Sequence, residues 1–517
     1  MLSTKINPPR VHLVNPSTQS FGVAVITPRW LYVLAAATGR EWGDPHIVDE
    51  TLEQLDVSGI HAGDVVGIGI HTGNALRGYE IGRAVRQRGA WVVYGGIHAT
   101  LFPEEAKAHG LAHAVVRGDG DLIWRRVVED CLAGRPLPLY EGGRVSGDQF
   151  VSARWDLLPP RSYMWGSVQT VRGCPKHCSF CSVWRTDGQE PRQRAVDRVV
   201  REIVDLRRLG FRFIALADDN FYPVTFDDLA QARRRADTSR LRELEALREE
   251  RFELMARLAQ LPNDLIFYTQ ITMEAAEDRE FLAAMKRAKI LGALVGVESV
   301  TRAGLKDVYK GFNLAGDELA ARLREFRRQG IHVLGSFIFG LNSDTRDTFD
   351  ATVALAEQAD LTFAQFVLLT PFPGTVDFEK WAADERRRDT TIDGVPITQH
   401  WLIPEARRPR LYSEHPTMSL EDIRHGTQRA WDRFYSWRRV WFRSRVVRSI
   451  RGRVAFVLIS KMYRQMYANT GIAADSARVE RSARWARWLG RACRRLFVGK
   501  PMPDLVMPDE TCEPAVN

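Results

Sequence analysis

Short apolar runs alternate with helix-patterned segments through the first 130 residues. RVHLVNP (10–16), HIVDET (46–51), DVVGIGIH (64–71), WVVYGGIH (91–98) and AVVRGDGD (114–121) read as strands. GYEIGRAVRQRG (78–89), EEAKAHG (104–110) and LIWRRVVEDCLAG (122–134) read as helices. Such alternation predicts a doubly wound parallel sheet of flavodoxin-like class over residues 1–140. Ligands on these sheets sit beyond the carboxyl ends of the strands. Glycines stand in those places: Gly73, with Thr72 beside it, then Gly95 and Gly96, then Gly118 opening a Gly-Asp-Gly-Asp stretch. Glycine there lets the backbone approach a bulky ligand closely.

Residues 142–160 are rich in Gly, Pro and Ser and predict a linker, placed at 141–165. From Ser167 a second strand series begins: SVQTV (167–171), FIALADD (213–219), LIFYTQIT (265–272), ALVGVES (293–299), HVLGSFIFG (332–340) and FAQFVLLTP (363–371). Helical segments separate them, including a long charged one at about 225–260. Six β–α units are expected over 166–390, so the fold class is α/β. In α/β barrels the chemistry lies at the carboxyl ends of strands. Asp218 and Asp219 end the second strand, Glu298 ends the fourth, and Thr370, Pro371, Pro373, Gly374 and Thr375 follow the sixth. Gln270 lies on the third strand, and Gly335 and Ser336 on the fifth.

The remainder, 391–517, predicts a basic helical region, with Phe434, Trp437 and Trp441 recurring at i, i+3, i+7. The chain carries +9 overall, yet residues 421–500 hold 20 Lys/Arg against 5 Asp/Glu. That segment is therefore at +15 and the rest at −6. Arginines with Trp and Phe on a helix suit a membrane surface or an apolar anionic partner. Nucleic acid is a second fit, through phosphate pairing and base stacking. A helical cap, its aromatics packed on the barrel and its arginines solvated, is the third. At 517 residues and 45% apolar, about three domains are expected. MLSTKINPPR shows no apolar h-region, so no secretory signal is expected. No run of about 18 apolar residues predicts a spanning helix. A cytoplasmic protein is expected, with peripheral contact at the inner membrane face as a possibility.

One cluster of residues changes the picture. In VRGCPKHCSFCSVW, Cys174, Cys178 and Cys181 stand as C-x3-C-x2-C, with Phe180 before the last. Three thiolates hold only three corners of a 4Fe–4S cube, leaving one iron open for chemistry. A structural zinc site wants four ligands, commonly as two Cys/His pairs, and none stands near; His177 lies between two of the cysteines. Six cysteines in so long a chain without a signal peptide do not suggest a disulfide framework, and Cys131, Cys493 and Cys512 read as ordinary thiols.

The spacing and Phe180 resemble the radical S-adenosylmethionine (SAM) enzymes. The resemblance implies that Cys174, Cys178 and Cys181 hold a 4Fe–4S cluster whose open iron chelates SAM. It implies a (βα)6 partial barrel, with Asp218 or Asp219 binding the ammonium of the methionine moiety. A carboxylate suits that ammonium as a charge-assisted acceptor. By the same likeness Glu298 accepts ribose hydroxyls, and the Gly335–Ser336 backbone meets adenine.

The sheet placed directly before this motif is similar to the cobalamin-binding domain of the class B, cobalamin-dependent radical SAM enzymes, most of them C-methyltransferases. YGGIHAT and the Gly-Asp-Gly-Asp loop carry that likeness. It implies cobalamin near Thr72, Gly73, Gly95, Gly96 and Gly118. The Asp-x-His-x-x-Gly motif that supplies a lower cobalt ligand elsewhere is absent: Asn15-Pro16-Ser17-Thr18 follows the first strand. His71 and His98, at strand ends, are the other candidates for corrin contact.

The tail segments FYSWRRV, KMYRQMYANTGIAADSAR and GKPMPDL resemble the hopanoid C-3 methylases. The implied activity is methyl transfer to an unactivated carbon, C-3 of the hopanoid A ring, with a reductant such as flavodoxin or ferredoxin as partner. Sister activities on another natural product, or tetrapyrrole ring closure, use the same frame. Methylthiolation of RNA needs further cluster cysteines, and a cobalamin sensor has no use for the triad.

Overall fold

The computed structural model describes residues 8–20, 24–160, 162–409, 411–467 and 498–507. The first half carries a six-stranded sheet of β1 (Val11–Asn15), β3 (His46–Asp49), β4 (Val65–Gly69), β5 (Trp91–Gly95), β6 (Ala114–Gly118) and β7 (Leu139–Gly143). Its order is β3-β1-β4-β5-β6-β7, with every pair parallel. This is the flavodoxin-like winding, which reverses between β1 and β4 and so opens a crevice there. β1, β4 and β5 are buried along most of their length, as strands covered by helices on both faces must be. The helix Ala75–Gln87 buries Tyr79, Ile81 and Val85, and Trp124–Leu132 buries Val127, Val128 and Cys131.

The second sheet is an open parallel curl of β8 (Tyr163–Val168), β11 (Phe213–Leu216), β12 (Ile266–Ile271), β13 (Ile290–Glu298), β14 (His332–Phe339) and β15 (Phe363–Leu368). A seventh strand, β2 (Ala24–Ile26), pairs with β8 at the edge. An antiparallel ribbon, β9 (Val171–Arg172) with β10 (Arg192–Gln193), brackets the cysteine loop.

The α/β class and the partial barrel stand as expected. Three strand boundaries differ from the pattern reading. β2 is a three-residue strand, shorter than any periodicity can register. β7 runs into the start of the stretch read as linker, because its Gly142 and Gly143 look like turn residues. Gly142 is there for close approach: a Cβ would stand 1.9 Å from the Asp119 carbonyl oxygen. β8 starts at Tyr163, four residues before the expected Ser167.

Buried polar contacts hold the β2 edge of the second sheet and fasten that sheet to the first. Arg29, just after β2, forks onto Glu202 of the helix Val196–Arg208 at 3.0 and 2.9 Å. Tyr163 donates to Asp49 at 2.8 Å, and Thr27 meets Ser167 at 3.0 Å. Arg172 of β9 forks onto Asp121 at 3.0 Å on both branches, while Arg192 of β10 reaches Asp119 at 2.8 Å. The aspartates of the Gly-Asp-Gly-Asp loop thus hold the ribbon that carries the cysteines.

The helix Leu420–Phe434 covers the edge strand β15. Trp431 Nε1 donates to the Phe366 carbonyl at 2.8 Å, and the Tyr435 hydroxyl donates to the Ala364 carbonyl at 2.8 Å. Covering an edge removes its unpaired backbone groups from solvent. The expected Phe434–Trp437–Trp441 stripe is not one face. Ser436 is extended (φ −60°, ψ 148°) and ends the first helix, so Phe434 is fully buried while Trp437 and Trp441 are 67% and 45% exposed on a second helix, Trp437–Arg443. A third helix spans Ile450–Tyr467. Of the tail segments, 468–478 lies outside the described residues, whereas Gly499 donates to the Gly210 carbonyl at 2.8 Å. No described helix is long and apolar enough to cross a membrane.

Candidate active site

The cysteine loop is fixed by its backbone. Gly173 adopts φ 90°, and a Cβ there would stand 2.7 Å from the Glu190 carbonyl oxygen. Cys174 N–H donates to the Gly188 carbonyl at 3.0 Å, Ser179 N–H to Val308 at 3.2 Å, and Trp184 Nε1 to the Cys178 carbonyl at 3.1 Å. Phe180 packs beneath the loop beside Val308, Ile338 and Leu341. All three thiols are free. Burial pushes Cys174 up to about 11 and Cys181 up to about 12, and both are raised further by Cys178 and by Asp219. Burial also raises Cys178, against which the Lys310 and Lys176 ammonium groups act. The three thiols act on one another through space, with cations beside them and no disulfide among the described residues; no three donors there stand close enough to hold a single metal ion, and the set suits instead the separated corners of a cluster with one open iron. His177 is exposed to solvent, and Cys131 is buried in the first half of the chain.

The two aspartates after β11 divide the work. Asp218 is 1% exposed. It accepts hydrogen bonds from Thr170 N–H, Thr170 Oγ1 and Val171 N–H, at 2.5, 2.5 and 2.9 Å. Buried Arg251 backs it, donating to Thr170 Oγ1 at 2.7 Å. This carboxylate holds the turn into the β9 ribbon and has no face left for a ligand. Asp219 is half-buried, takes one hydrogen bond from Gly173 N–H at 2.7 Å, and looks toward Cys174 and Cys181. Burial, with Asp187 next in weight, pushes it up to about 7. An excess of carboxylate beside the cysteines is what a bound ammonium would neutralise. Asp218→Asn should therefore cost about 3 kcal/mol of stability, because it removes the buried negative charge that acts on Arg251 and unbalances the Thr170 hydrogen bonds. Asp219→Asn should leave the denaturant midpoint nearly unchanged and weaken SAM binding about tenfold or more, as the loss of a charge-assisted contact does. Urea titration and equilibrium dialysis against SAM separate the two.

Glu298 is not free. Its Oε1 takes Lys310 Nζ at 2.8 Å, with both side chains 6% exposed. Lys310 also donates to the Gly296 carbonyl at 2.9 Å. Glu298 sits at φ 65°, beside a bulge in the β13–β14 ladder. Gly296 leaves room for the fold-back: a Cβ would stand 2.5 Å from Glu298 Oε1 and 2.6 Å from Lys310 Nζ. Strain of this kind is held only where surrounding structure enforces it. Lys310 has no signature in the sequence; it is twelve residues from Glu298 and outside any motif. Ser336 lies next to Gln365, which donates to its Oγ at 2.9 Å. Gly335 faces away, toward Leu361, 2.6 Å from where its Cβ would be. Gln270 has an exposed side chain while its carbonyl holds Phe221 N–H at 2.9 Å. Thr370 hydrogen-bonds the Leu368 carbonyl, and Thr375 caps the helix Val376–Arg388.

A cavity of about 560 Å³ opens between the carboxyl ends of the two sheets. Gly67, Gly69, Gly95, Gly96, Gly118 and Gly143 line it from the first sheet, with Ala217, Gln169 and Asp187 from the barrel side. Gly95 and Gly143 meet no atom within 4 Å in the direction of a Cβ, so side chains there would fill the cavity. Gly143 has positive φ, as Gly96 and Gly118 do; those two differ in that their Cβ atoms would strike the carbonyl oxygens of Ile70 and Gly143 at 2.6 and 2.5 Å. Trp124 covers Gly67 and Trp30 covers Gly69, so the floor is an apolar wall left open at Gly95 and Gly143, which fits a large, flat macrocycle. His71 also lines the wall, and desolvation lowers its pKa. His98 does not: it is wholly buried, with Nε2 on Glu105 at 2.9 Å and Nδ1 near Thr72 Oγ1 at 3.3 Å. Thr72 and Gly73 serve this loop rather than the cavity wall, Gly73 N–H donating to His71 Nδ1 at 3.1 Å.

The radical SAM superfamily profile matches residues 168–356, from the end of β8 through the cysteines to the helix Arg346–Gln358. This stretch is a radical SAM domain, and the chain that carries it is an enzyme of that chemistry. A 4Fe–4S cluster and SAM are the cofactors of this enzyme class, and the cysteine loop and Asp219 offer the donors they need. An uncharacterized methyltransferase of Pyrococcus horikoshii is 28% identical over 76% of this chain and 88% of its own. The bacteriochlorophyllide d C-12(1)-methyltransferase of Chlorobaculum tepidum is 27% identical over 67% and 72%. The hopanoid C-2 methylase of Rhodopseudomonas palustris is 23% identical over 72% and 68%. Among solved structures, the radical SAM methyltransferase TsrM of Kitasatospora setae, with cobalamin and a 4Fe–4S cluster bound, superposes with a TM-score of 0.60. It is 19% identical, covering 82% of this chain and 88% of that one. The radical SAM enzyme thus has the fold of the cobalamin-dependent members.

Proposed function

We propose that this radical SAM methyltransferase moves a methyl group from cobalamin to an unactivated carbon of a polycyclic lipid, the C-3 position of the hopanoid A ring. The observation that carries the reading is the shared cavity. Its glycine floor comes from the first sheet, and its far wall, Ala217 and Asp187, from the barrel beside the cysteine loop. One space therefore serves both halves of the chemistry.

When bound, the cluster and SAM supply a 5′-deoxyadenosyl radical able to take hydrogen from an unactivated carbon, and cobalamin supplies the methyl group. The chain's own residues position these groups. Cys174, Cys178 and Cys181 would hold the cluster, and Asp219 the SAM ammonium. Glu298, oriented by Lys310, would take the ribose and Ser336 would border adenine. Gly95, Gly96 and Gly118 would let a corrin lie against the strand ends. The Arg172–Asp121 and Arg192–Asp119 pairs hold the two halves in register, so that reactants meet without free diffusion. A reductant such as flavodoxin or ferredoxin is the electron donor, and the enzyme works at the inner face of a bilayer.

The lipid assignment draws support from the tail segments and from the hopanoid C-2 methylase relative. The chlorin methyltransferase, more identical to this chain, favours a second reading, methylation of a tetrapyrrole or another polycyclic natural product. The deciding experiment is anaerobic incubation with cobalamin, SAM, reductant and diploptene, read by mass spectrometry. A product heavier by one methyl on the A ring, matching a 3-methyl standard, with 5′-deoxyadenosine and S-adenosylhomocysteine, is expected. A 2-methyl product would sink the C-3 position. Deoxyadenosine without methylated hopanoid would sink the lipid and leave the radical chemistry standing.

A further inference from the structure

A second concavity, of about 610 Å³, lies in the C-terminal helices, walled by Arg438, Arg439, Arg443, Arg445, Trp441 and Phe442. Arg443 is 7% exposed, with its guanidinium 3.8 Å from the centre of the Phe434 ring. Among the described residues its Nε and Nη2 have no hydrogen-bond partner. A buried cation with unmet donors is costly and calls for an anion. The two acids in the wall reach Arg443 only through space, and their ion pairs go to other arginines: Glu357 with Arg439 and Arg433, and Asp360 with Arg327 at 3.5 Å. A guanidinium fork matches two oxygens of one phosphate.

The rim says what bears the phosphate. Trp437, Trp441, Phe442 and Ile450 are 67%, 45%, 58% and 63% exposed. Each aromatic among them lies under a cation: Lys461 over Trp437 at 4.4 Å, Arg453 over Trp441 at 4.3 Å, Arg445 over Phe442 at 4.4 Å. Rings and cations paired at one level suit the headgroup layer of a membrane, where apolar bodies enter and charges stay with phosphates. A free phosphate has no use for the apolar rim, and nucleic-acid bases would have to displace the cations already over the ring faces. We propose that the pocket centred on Arg443 seats the phosphate of an anionic phospholipid while Trp437, Trp441 and Phe442 enter the bilayer interface. This rests on the bilayer-surface reading above and adds a headgroup site to it.

Flotation of the full-length holoenzyme with vesicles tests it. Vesicles rich in phosphatidylglycerol should retain at least about tenfold more protein than phosphatidylcholine vesicles, with the excess lost at high salt. Arg438 and Arg445 are exposed, so reversing them (Arg438→Glu with Arg445→Glu) should spare the fold and cut binding by about fivefold or more per arginine removed. Arg443→Gln should erase the preference between the two lipids while leaving the weaker, apolar binding, with cluster iron and circular dichroism as folding checks. If that variant and the double reversal both keep the preference, the headgroup site is overturned and the bilayer reading survives. If wild type floats with neither vesicle, both fall. Tight binding of inorganic phosphate or single-stranded RNA without vesicle binding would overturn the site as a lipid site.

Discussion

Cys178→Ala protein, reconstituted anaerobically with iron and sulfide, should lack the visible absorbance of a cluster and make no detectable 5′-deoxyadenosine from SAM. The effect should exceed the roughly 10–100-fold that losing a supporting residue costs a metal site, because a ligand itself is gone. Cys178 is the most enclosed of the three, near Lys310 and Lys176, and its carbonyl anchors Trp184. Alanine keeps that backbone contact and removes only the sulfur. Circular dichroism should therefore barely change while iron content collapses. Cys131→Ala is the control: Cys131 sits in the first-half core, so iron should stay at the wild-type level. Full iron loading in Cys178→Ala would remove the triad from the cluster assignment.

The two parallel sheets were legible because their strands are buried on both faces and bracketed by helices with an apolar stripe. What escaped notice had no periodicity to show. β2 is three residues long, and its place beside β8 is decided by Thr27, Arg29 and their partners far along the chain. The end of β7 reads as linker because the same glycines that permit close packing also look like a turn. At the site, the cysteine spacing was explicit in the sequence, since local geometry sets it. The partners were not. Lys310 meets Glu298 only because a loop returns to β13, and Arg172 meets Asp121 across the two sheets. Asp218 and Asp219 are adjacent and chemically identical, so only burial separates the structural carboxylate from the available one. The broken aromatic stripe follows the same logic. A single extended residue, Ser436, sends Phe434 into the core and Trp437 to the surface.

Gly95→Leu should abolish cobalamin retention while leaving the cluster intact. Gly95 ends β5, its φ is not positive, and no atom lies within 4 Å of where its Cβ would be. A leucine there costs the fold little and puts its side chain into the space between the sheets. Gly96→Ala provides the contrast. It places a Cβ 2.6 Å from the Ile70 carbonyl oxygen at φ 92°, so its loss should appear first as lowered stability, of about 1–2 kcal/mol or more. Cobalamin per chain after gel filtration, iron per chain, and the denaturant midpoint separate the two outcomes. Gly95→Leu is expected to hold less than a tenth of the wild-type cobalamin with normal iron and midpoint, and to give no methylated product. Because the cysteine loop is held by the barrel and the β9–β10 ribbon, SAM cleavage should persist in that variant. Stoichiometric cobalamin in Gly95→Leu would show that the corrin lies elsewhere, and the argument from the glycine floor would fail with it.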